Sequence, residues 1–372
     1  MTSRICSVCN AEGPDDPFAW HCECGGPFDL PFTPCPALAL DGRPFTMWRY
    51  QEALPVDESR RVSLDEGFTP LTAARLYDQE VLLKQDHLFP TGSFKDRGAS
   101  LIVTHAAEMG VASLIEDSSG NAGAAIAAYA ARAGIACDIY VPSHASAGKQ
   151  AQIAAFGAAV HAISGPREAA SQAAREAVGQ NSGSTFFASH VWNPWFIHGT
   201  KTVAYEIWEQ LGRKSPDSVV VPTGNGTLLL GLHLGFRELE AGGLTDRVPT
   251  LIAVQTAACD VLANMWARGW SSGGSDVLEF PDVQAQPTVA EGIAVAKPAR
   301  ARQILDAVQS TGGRFLTVSE QEIVGAHKLA CRNGWYVEPT SAVAIAGIRK
   351  LDEVPPQTVI PLTGHGLKYA VE

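Results

Sequence analysis

The chain has 372 residues, of which 46% are hydrophobic and 18% charged, and its formal net charge at pH 7 is −11. This is the composition of a folded globular protein, so a largely disordered chain is excluded, and the length predicts two or more domains. The acidic balance, without a dense Lys/Arg run, argues against a nucleic-acid-binding or membrane-binding surface.

The N-terminal segment gives the first indication of location. Residues 1–10 have no apolar core of a signal peptide, and the longest low-charge run, residues 122–133, is too short to cross a bilayer. We therefore predict a cytoplasmic protein. In that reducing compartment the eight cysteines are not expected to form a disulfide framework.

Four cysteines lie close together at the start of the chain, in the pattern C-x₂-C followed by C-x-C-G-G: Cys6, Cys9, Cys22 and Cys24. Two close pairs of thiolates suit a tetrahedral Zn²⁺, and a site closed by four sulfurs would be structural. The alternative of four free thiols in a flexible tail is weaker because the cysteines are paired. A nucleic-acid-binding zinc ribbon is disfavoured by the acidic residues between the pairs. His21 is an alternative ligand.

After a Pro-rich linker at residues 27–36, short apolar strands alternate with longer helices. This alternation is typical of parallel α/β sheets, and its length predicts two α/β domains behind the cysteine segment. The predicted strands are 81–84, 113–117, 137–141, 158–163, 185–189, 218–222, 251–255, 314–318 and 358–364.

The segment S-F-K-D-R-G at 93–98 places Lys95 at the opening turn of a predicted helix. The positive end of the helix dipole disfavours the charged form of a lysine there, and a lysine with a lowered pKa suits Schiff-base chemistry. Taken alone, the motif favours a different interpretation, an exposed lysine beside Asp96 and Arg97 on a solvated helix face.

Two further segments connect a strand to a helix, D-S-S-G-N-A-G at 117–123 and P-T-G-N-G-T-L at 222–228. Small residues before a helix let backbone N–H groups approach an anion. The second segment lacks the lysine of an ATPase P-loop and the G-x-G-x-x-G spacing of a dinucleotide site. The alternative is an ordinary turn with Ser/Asn capping. A fourth segment, P-L-T-G-H-G-L-K at 361–368, places Thr363 at a strand end, where ligands of open sheets bind.

In this order and together, the motifs resemble the fold type II pyridoxal-phosphate (PLP) family, which includes threonine synthase, serine and threonine dehydratases and cysteine synthase. The resemblance runs from about Cys6 to Lys368. It implies two parallel-sheet α/β domains of the tryptophan-synthase-β-like kind plus a small four-cysteine, zinc-ribbon-like N-terminal module. We assign residues 1–40 to the module and linker, 41–100 with 205–372 to a large PLP-binding domain, and 101–204 to a small domain.

The resemblance also implies roles for single residues. Lys95 would hold the cofactor as a Schiff base and shuttle protons. Thr363 would meet the pyridine nitrogen, and a hydroxyl partner there leaves that nitrogen largely neutral. Glu338, in V-E-P-T-S-A, is expected near the site without an assigned role, or simply before a helix start. Implied cofactor contacts are Lys95, Asn121, Gly224, Asn225, Gly226, Thr227, Leu228 and Thr363. Implied substrate contacts are Ser118, Ser119, Gly120 and Asn121, and implied zinc ligands are Cys6, Cys9, Cys22 and Cys24.

One segment, residues 190–202, departs from the threonine synthase pattern. Phe196 stands where that family typically has an Arg for the substrate phosphate, and a Phe ring cannot replace a guanidinium fork. His190 and His198 also replace other residue types. Trp192, Trp195 and Phe196 therefore form either an apolar pocket wall or ordinary helix packing.

The sequence thus predicts a PLP-dependent lyase or synthase acting at Cβ or Cγ of an L-amino acid. Threonine synthase activity on O-phosphohomoserine is one expectation. A β-eliminating or β-replacing relative, such as a Ser/Thr dehydratase or a cysteate-synthase-like enzyme, is the alternative. A catalytically silent PLP-binding regulatory protein is a third, which the intact Lys95 disfavours. By analogy we expect a homodimer with a small amino-acid substrate and no nucleic-acid or membrane partner.

Overall fold

The structure is a computed structural model. It describes residues 3–118, 120–143, 147–165, 167–180, 183–271, 280–281 and 285–369. The strands in chain order are β1 (Ile5–Cys6), β2 (Phe28–Asp29), β3 (Leu71–Leu76), β4 (Gln79–Lys84), β5 (Ser113–Glu116), β6 (Ala136–Pro142), β7 (Ala159–Ile163), β8 (Thr185–Phe187), β9 (Ser218–Pro222), β10 (Thr250–Thr256), β11 (Arg314–Val318) and β12 (Thr358–Pro361).

The helices follow the strands as the alternating pattern predicts. In chain order they are α1 (Lys95–Met109), α2 (Asn121–Ala133), α3 (Ala147–Ala155), α4 (Arg167–Gln180), α5 (Pro194–Thr200), α6 (Thr202–Gln210), α7 (Thr227–Ala241), α8 (Val261–Ala267), α9 (Ala301–Ser310), α10 (Glu320–Arg332) and α11 (Pro339–Gly347). Within the described ranges, no helix is both long and apolar enough to cross a bilayer.

The chain forms two compact units. The first contains Met1–Phe32, Leu38–Gly67 and Phe89–Thr200, and the second contains Thr33–Ala37, Phe68–Leu88 and Lys201–Glu372. This grouping differs from the sequence assignment, because residues 41–67 and 89–100 fall with the smaller sheet rather than the larger one. The physical reason is helix packing, since α1 packs against both α2 and α5.

The first unit is built on a four-stranded sheet in the order β7-β6-β5-β8, in which all neighbouring strands are parallel. Its core contains the apolar faces of α1 and the Ala-rich α2, together with aromatic residues of α5. The cysteine segment adds a two-stranded antiparallel ribbon, β1 with β2.

The second unit is built on a six-stranded sheet in the order β11-β10-β9-β12-β4-β3. Its strands run parallel except β3, which pairs antiparallel with β4. Two buried ion pairs lie in this unit, Lys84 Nζ to Glu206 Oε2 at 2.6 Å and Lys201 Nζ to Glu238 Oε2 at 2.8 Å. The predicted α/β class with parallel sheets is therefore confirmed.

Candidate active site

Lys95 is the first residue of α1, as the sequence predicted. Its Nζ lies 4.8 Å from the ring centroid of Phe94 and 5.4 Å from that of Phe196. The side chain is half-buried. The lysine therefore stands at a helix start beside two aromatic rings.

The residues that follow Lys95 are buried, so the solvated-face interpretation of this segment is wrong. Asp96 and Arg97 are both 0% exposed. A carboxylate oxygen of Asp96 accepts from the backbone N–H of Thr91 at 2.9 Å, and the Arg97 guanidinium lies 4.8 Å from the ring centroid of Phe89. Asp96 thereby stabilises the turn that leads into α1. This turn sets the direction in which the Lys95 side chain points.

The loop after β5 carries the predicted carboxylate-binding residues. Ser118 is buried, and its Oγ accepts from the N–H of Gly120 at 3.3 Å. Asn121 is the first residue of α2, and Gly120 is its N-cap. The opening N–H groups of a helix have no carbonyl partner within it, so this loop end suits an anion. Ser119 lies outside the described residues.

A buried acid–histidine pair lies at the carboxyl ends of β5 and β8, which are neighbours in the sheet. His190 Nδ1 is 2.7 Å from Glu116 Oε1, and the His190 N–H donates to Glu116 Oε2 at 3.2 Å. Next to it, Ser189 Oγ donates to Asp117 Oδ1 at 3.2 Å. Sequence reasoning missed this pairing of residues 74 positions apart. The sequence offered only a weak signal, because Glu116 ends β5 and His190 lies three residues after β8.

The aromatic segment divides into packing residues and one site residue. Trp195 stacks on His105 of α1 with ring centroids 3.7 Å apart, and Trp192 meets Trp20 edge to face at 5.1 Å. Phe196 is 0% exposed and lies beside Lys95. The two tryptophans are therefore core packing, whereas Phe196 faces the lysine.

Phe196 reaches that position because Gly98 has no side chain. A Cβ at Gly98, one turn into α1, would lie 2.5 Å from three carbons of the Phe196 ring. The ring also meets His190 edge to face at 5.8 Å. The position where the resemblance leads one to expect an Arg is thus filled by a buried ring.

The loop after β9 is built from backbone rather than from charged side chains. Gly226 has φ +72° and is the N-cap of α7, which begins at Thr227. A Cβ at Gly224 would lie 2.7 Å from the Ile293 Cα, and one at Gly226 would lie 2.4 Å from Ile304 Cδ1. Asn225 and Leu228 complete the segment. Glycine is therefore required at two positions of a loop whose N–H groups open a fifteen-residue helix.

Thr363 lies two residues after β12, which is the parallel neighbour of β9. The carboxyl ends of both strands therefore meet at one edge of the six-stranded sheet. Thr363 is 2% exposed, and its Oγ1 donates to Glu338 Oε1 at 2.8 Å. The structure thus puts Glu338 in direct contact with a predicted site residue.

The four N-terminal cysteines form one cluster, with all Sγ atoms within 4.8 Å of one another. The Sγ atoms of Cys6 and Cys24 are 3.5 Å apart, and those of Cys9 and Cys22 are 3.6 Å apart. Sulfurs at about 2.3 Å from a tetrahedral zinc would be about 3.8 Å from one another, so the four residues fit this ion. The pKa of Cys9 falls to about 7, first because of a backbone hydrogen bond at Ala11 and then because of the neighbouring thiols. His21 is not a member of the cluster.

Three comparisons with known proteins agree with this architecture. A family model described as pyridoxal-phosphate dependent enzyme matches residues 62–364. The threonine synthase of Methanocaldococcus jannaschii is 34% identical, over 98% of this chain and 92% of its own, and that of Mycobacterium leprae is 36% identical, over 86% and 87%. A solved threonine deaminase from T.th. is 27% identical with a TM-score of 0.66, over 80% of this chain and 92% of that one.

Proposed function

The chain belongs to the family of pyridoxal-phosphate-dependent enzymes, as a lyase with threonine synthase relatives, and we propose that it acts at Cβ or Cγ of an L-amino acid with Lys95 as the cofactor lysine. The observation that carries the proposal is the position of Lys95 at the first turn of α1, beside Phe94 and Phe196. In the proposed enzyme this amine is the attachment point of the cofactor.

Bound PLP supplies an electron sink for negative charge at the substrate Cα. Lys95 Nζ takes the proton from Cα and returns one later, which is general acid–base catalysis by a positioned amine. The ring centroids of Phe94 and Phe196 lie 4.8 and 5.4 Å from that amine.

The two strand-to-helix loops have separate tasks in this proposal. The N–H groups of residues 224–228 bind the cofactor phosphate, because the loop offers backbone donors at the positive end of α7. Ser118, Gly120 and Asn121, together with Ser119, receive the substrate carboxylate, and Asn121 also orients the cofactor ring. Thr363 faces the ring nitrogen. In this proposal these residues serve binding and orientation, and Lys95 moves the Cα proton.

The first candidate substrate is O-phosphohomoserine, converted to threonine and phosphate. Relatives named threonine synthase, 34–36% identical over at least 86% of the chain, support it. The alternative is a β-eliminating or β-replacing reaction on a substrate without that phosphate. The buried Phe196 ring beside Lys95 supports the alternative, as does the similarity to the T.th. threonine deaminase.

The deciding experiment supplies the PLP-loaded protein with O-phospho-L-homoserine and follows phosphate and threonine together. Release of both in equal amounts is the expected result. Turnover of L-serine or L-threonine instead would move the assignment to the alternative. A protein that binds PLP but converts none of these compounds, nor other O-activated amino acids, would overturn the proposed reaction.

We also propose that Cys6, Cys9, Cys22 and Cys24 bind one structural Zn²⁺. The spacing of their sulfurs, all within 4.8 Å of one another, supports this. We expect one zinc per chain by metal analysis and none in Cys9→Ser. Because a metal bound only by the folded state stabilises it, chelation should lower the unfolding temperature.

The matched control is Cys331→Ser, which changes a cysteine outside the cluster and should keep the zinc. A metal-free preparation with the same unfolding temperature as the wild type would refute the zinc assignment. The homodimer and the cytoplasmic location stay predictions.

A further inference from the structure

One short segment, residues 190–196, contacts two different parts of the first unit. His190 bonds to the buried glutamate that ends β5, and the Phe196 ring lies beside the proposed cofactor lysine. Between these two positions, Trp192 contacts the cysteine module, because its ring meets that of Trp20 edge to face at 5.1 Å. The segment therefore connects the N-terminal module with the candidate site.

Hydrogen bonds on both sides of Trp20 restrict its position. The Arg4 guanidinium donates to three backbone carbonyls of residues 14–19, the loop that leads to Trp20. Beyond Trp20, the N–H of Cys22, a member of the cysteine cluster, donates to the Gly26 carbonyl at 2.9 Å. The backbone is thus restrained before and after this residue, and the module presents the indole ring in one place.

The contact between the module and residues 190–196 is closely packed. The Trp20 ring also meets Phe187, the last residue of β8, edge to face at 5.0 Å. Both Trp20 and Trp192 pack against one buried cluster, which contains Ile115, Ala174, Val178 and Phe187. The void left between module and segment holds about 10 Å³, room for about one water molecule. Because moving either surface would open a larger cavity and lose packing contacts, module and segment restrain each other.

The restrained segment is the one in which the candidate site departs from the family pattern. Phe196 fills the position where an Arg is expected, and His190 lies against its ring with centroids 5.8 Å apart. The N–H of Asn193 donates to the Ser189 carbonyl at 3.0 Å and closes a turn around Trp192. A displaced Trp192 would therefore move this turn, and with it the wall of the space beside the proposed cofactor lysine.

We propose that Trp20 is a positioning residue for the substrate site: through Trp192 the cysteine module holds residues 190–196 in place, and the affinity for the substrate depends on this contact. The inference rests on the proposed function, in which Phe196 lies beside the cofactor lysine. The affinity for PLP does not depend on the contact, because the proposed phosphate loop, residues 224–228, is built within the second unit.

The test compares Trp20→Ala with the wild type in the complete, PLP-loaded protein. Kinetics use whichever of O-phospho-L-homoserine, L-serine or L-threonine the wild type converts. KM should rise about 10-fold, while kcat and the Kd for PLP change by less than about 2-fold, since only the fraction of protein competent to bind substrate falls. Hydrogen exchange followed by mass spectrometry needs no turnover, and it should become faster in residues 190–196 and stay unchanged in 224–228.

Two variants are matched controls. Trp266→Ala removes another half-buried tryptophan, one whose ring lies 5.4 Å from that of Phe315 in the second unit, and should change neither KM nor exchange in residues 190–196. Trp20→Phe keeps an aromatic ring at the contact and should hold KM within about 2-fold of the wild type. If Trp20→Ala does not fold, Trp20→Leu keeps apolar volume without the aromatic edge and gives the same comparison.

Unchanged exchange in residues 190–196 would overturn the proposal, as would faster exchange with an unchanged KM. Equal losses in kcat and in PLP binding would also overturn it, because they would indicate general destabilisation. If the wild type converts none of the three compounds, the proposed function fails, and the exchange rates still decide whether Trp20 holds this segment.

Discussion

The loops after β5 and β9 have the same construction, a parallel strand that turns into a helix, but different chemistry. The edge at β5 contains polar side chains that bond to one another, including Glu116 with His190. The loop at β9 is made of glycines packed against Ile293 and Ile304, with its N–H groups at the start of α7.

The difference indicates which part of a reaction each edge can serve. When a loop binds its ligand through backbone N–H groups, most side-chain substitutions leave that binding unchanged. Such a loop therefore suits a constant group such as a cofactor phosphate. An edge built of side chains can be altered residue by residue, so it suits a substrate that differs between relatives. Phe196, in place of the expected Arg, lies on the β5 side.

Lys95→Ala should have the largest effect and separate the two edges most clearly. We expect turnover to fall by about 10³-fold or more, because the amine that moves protons is lost. The loop after β9 is untouched, so PLP should still bind without covalent attachment. The measurement combines steady-state rates with equilibrium dialysis of the cofactor. The exposed Lys328→Ala serves as the control; unchanged turnover in Lys95→Ala would remove this lysine from the mechanism.

Gly224→Ala should weaken PLP binding and leave catalysis largely intact, which is the opposite of the effect expected for Lys95→Ala. The added Cβ would lie 2.7 Å from the Ile293 Cα, and overpacking of this kind costs about 1–3 kcal/mol. We expect the Kd for PLP to rise by about 10–100-fold, while enzyme saturated with PLP keeps most of its turnover. Gly179→Ala in α4, where a Cβ meets nothing within 4 Å, is the matched control. Equal Kd values for both variants would contradict the assignment of the phosphate loop.

Gly98 and Phe196 should behave as a coupled pair on the β5 side. Gly98→Ala places a Cβ 2.5 Å from the Phe196 ring and should cost about 1–3 kcal/mol of unfolding free energy. Adding Phe196→Leu should recover part of this loss, giving a coupling of about 0.5–3 kcal/mol in a double-mutant cycle. Denaturant unfolding measures all four proteins. If the changes in unfolding free energy are strictly additive, the side chains at positions 98 and 196 are not in contact.

His87, in the unit of the β9 loop, should produce the smallest effect, a loss of stability in acid. Burial, followed by the neighbouring His365, lowers its pKa from 6.5 to about 4. Because the unfolded chain takes up this proton at higher pH than the folded one, the stabilisation is present above pH 6.5 and is lost as pH falls towards 4. When the pH is lowered from above 6.5 towards 4, the unfolding temperature of His87→Gln should drop about 2–4 °C less than that of the wild type. If the unfolding temperatures of both proteins fall equally with pH, His87 is not the source of the lost stability.

The sequence by itself determined the α/β class, the start of α1 at Lys95 and the glycine-rich turns before α2 and α7. It also determined the cysteine pairs. These features depend on residues within a few positions of one another, through strand and helix periodicity and turn chemistry. They are therefore visible without any knowledge of which strands are neighbours.

Only the tertiary structure decided that Asp96 and Arg97 are buried, that α1 belongs with the smaller sheet and that Glu116 meets His190. It alone showed that Thr363 donates a hydrogen bond to Glu338, a contact between residues 25 positions apart. The reason is physical. Strand order and helix packing bring together groups that are distant in the chain, and local propensity holds no information about those partners.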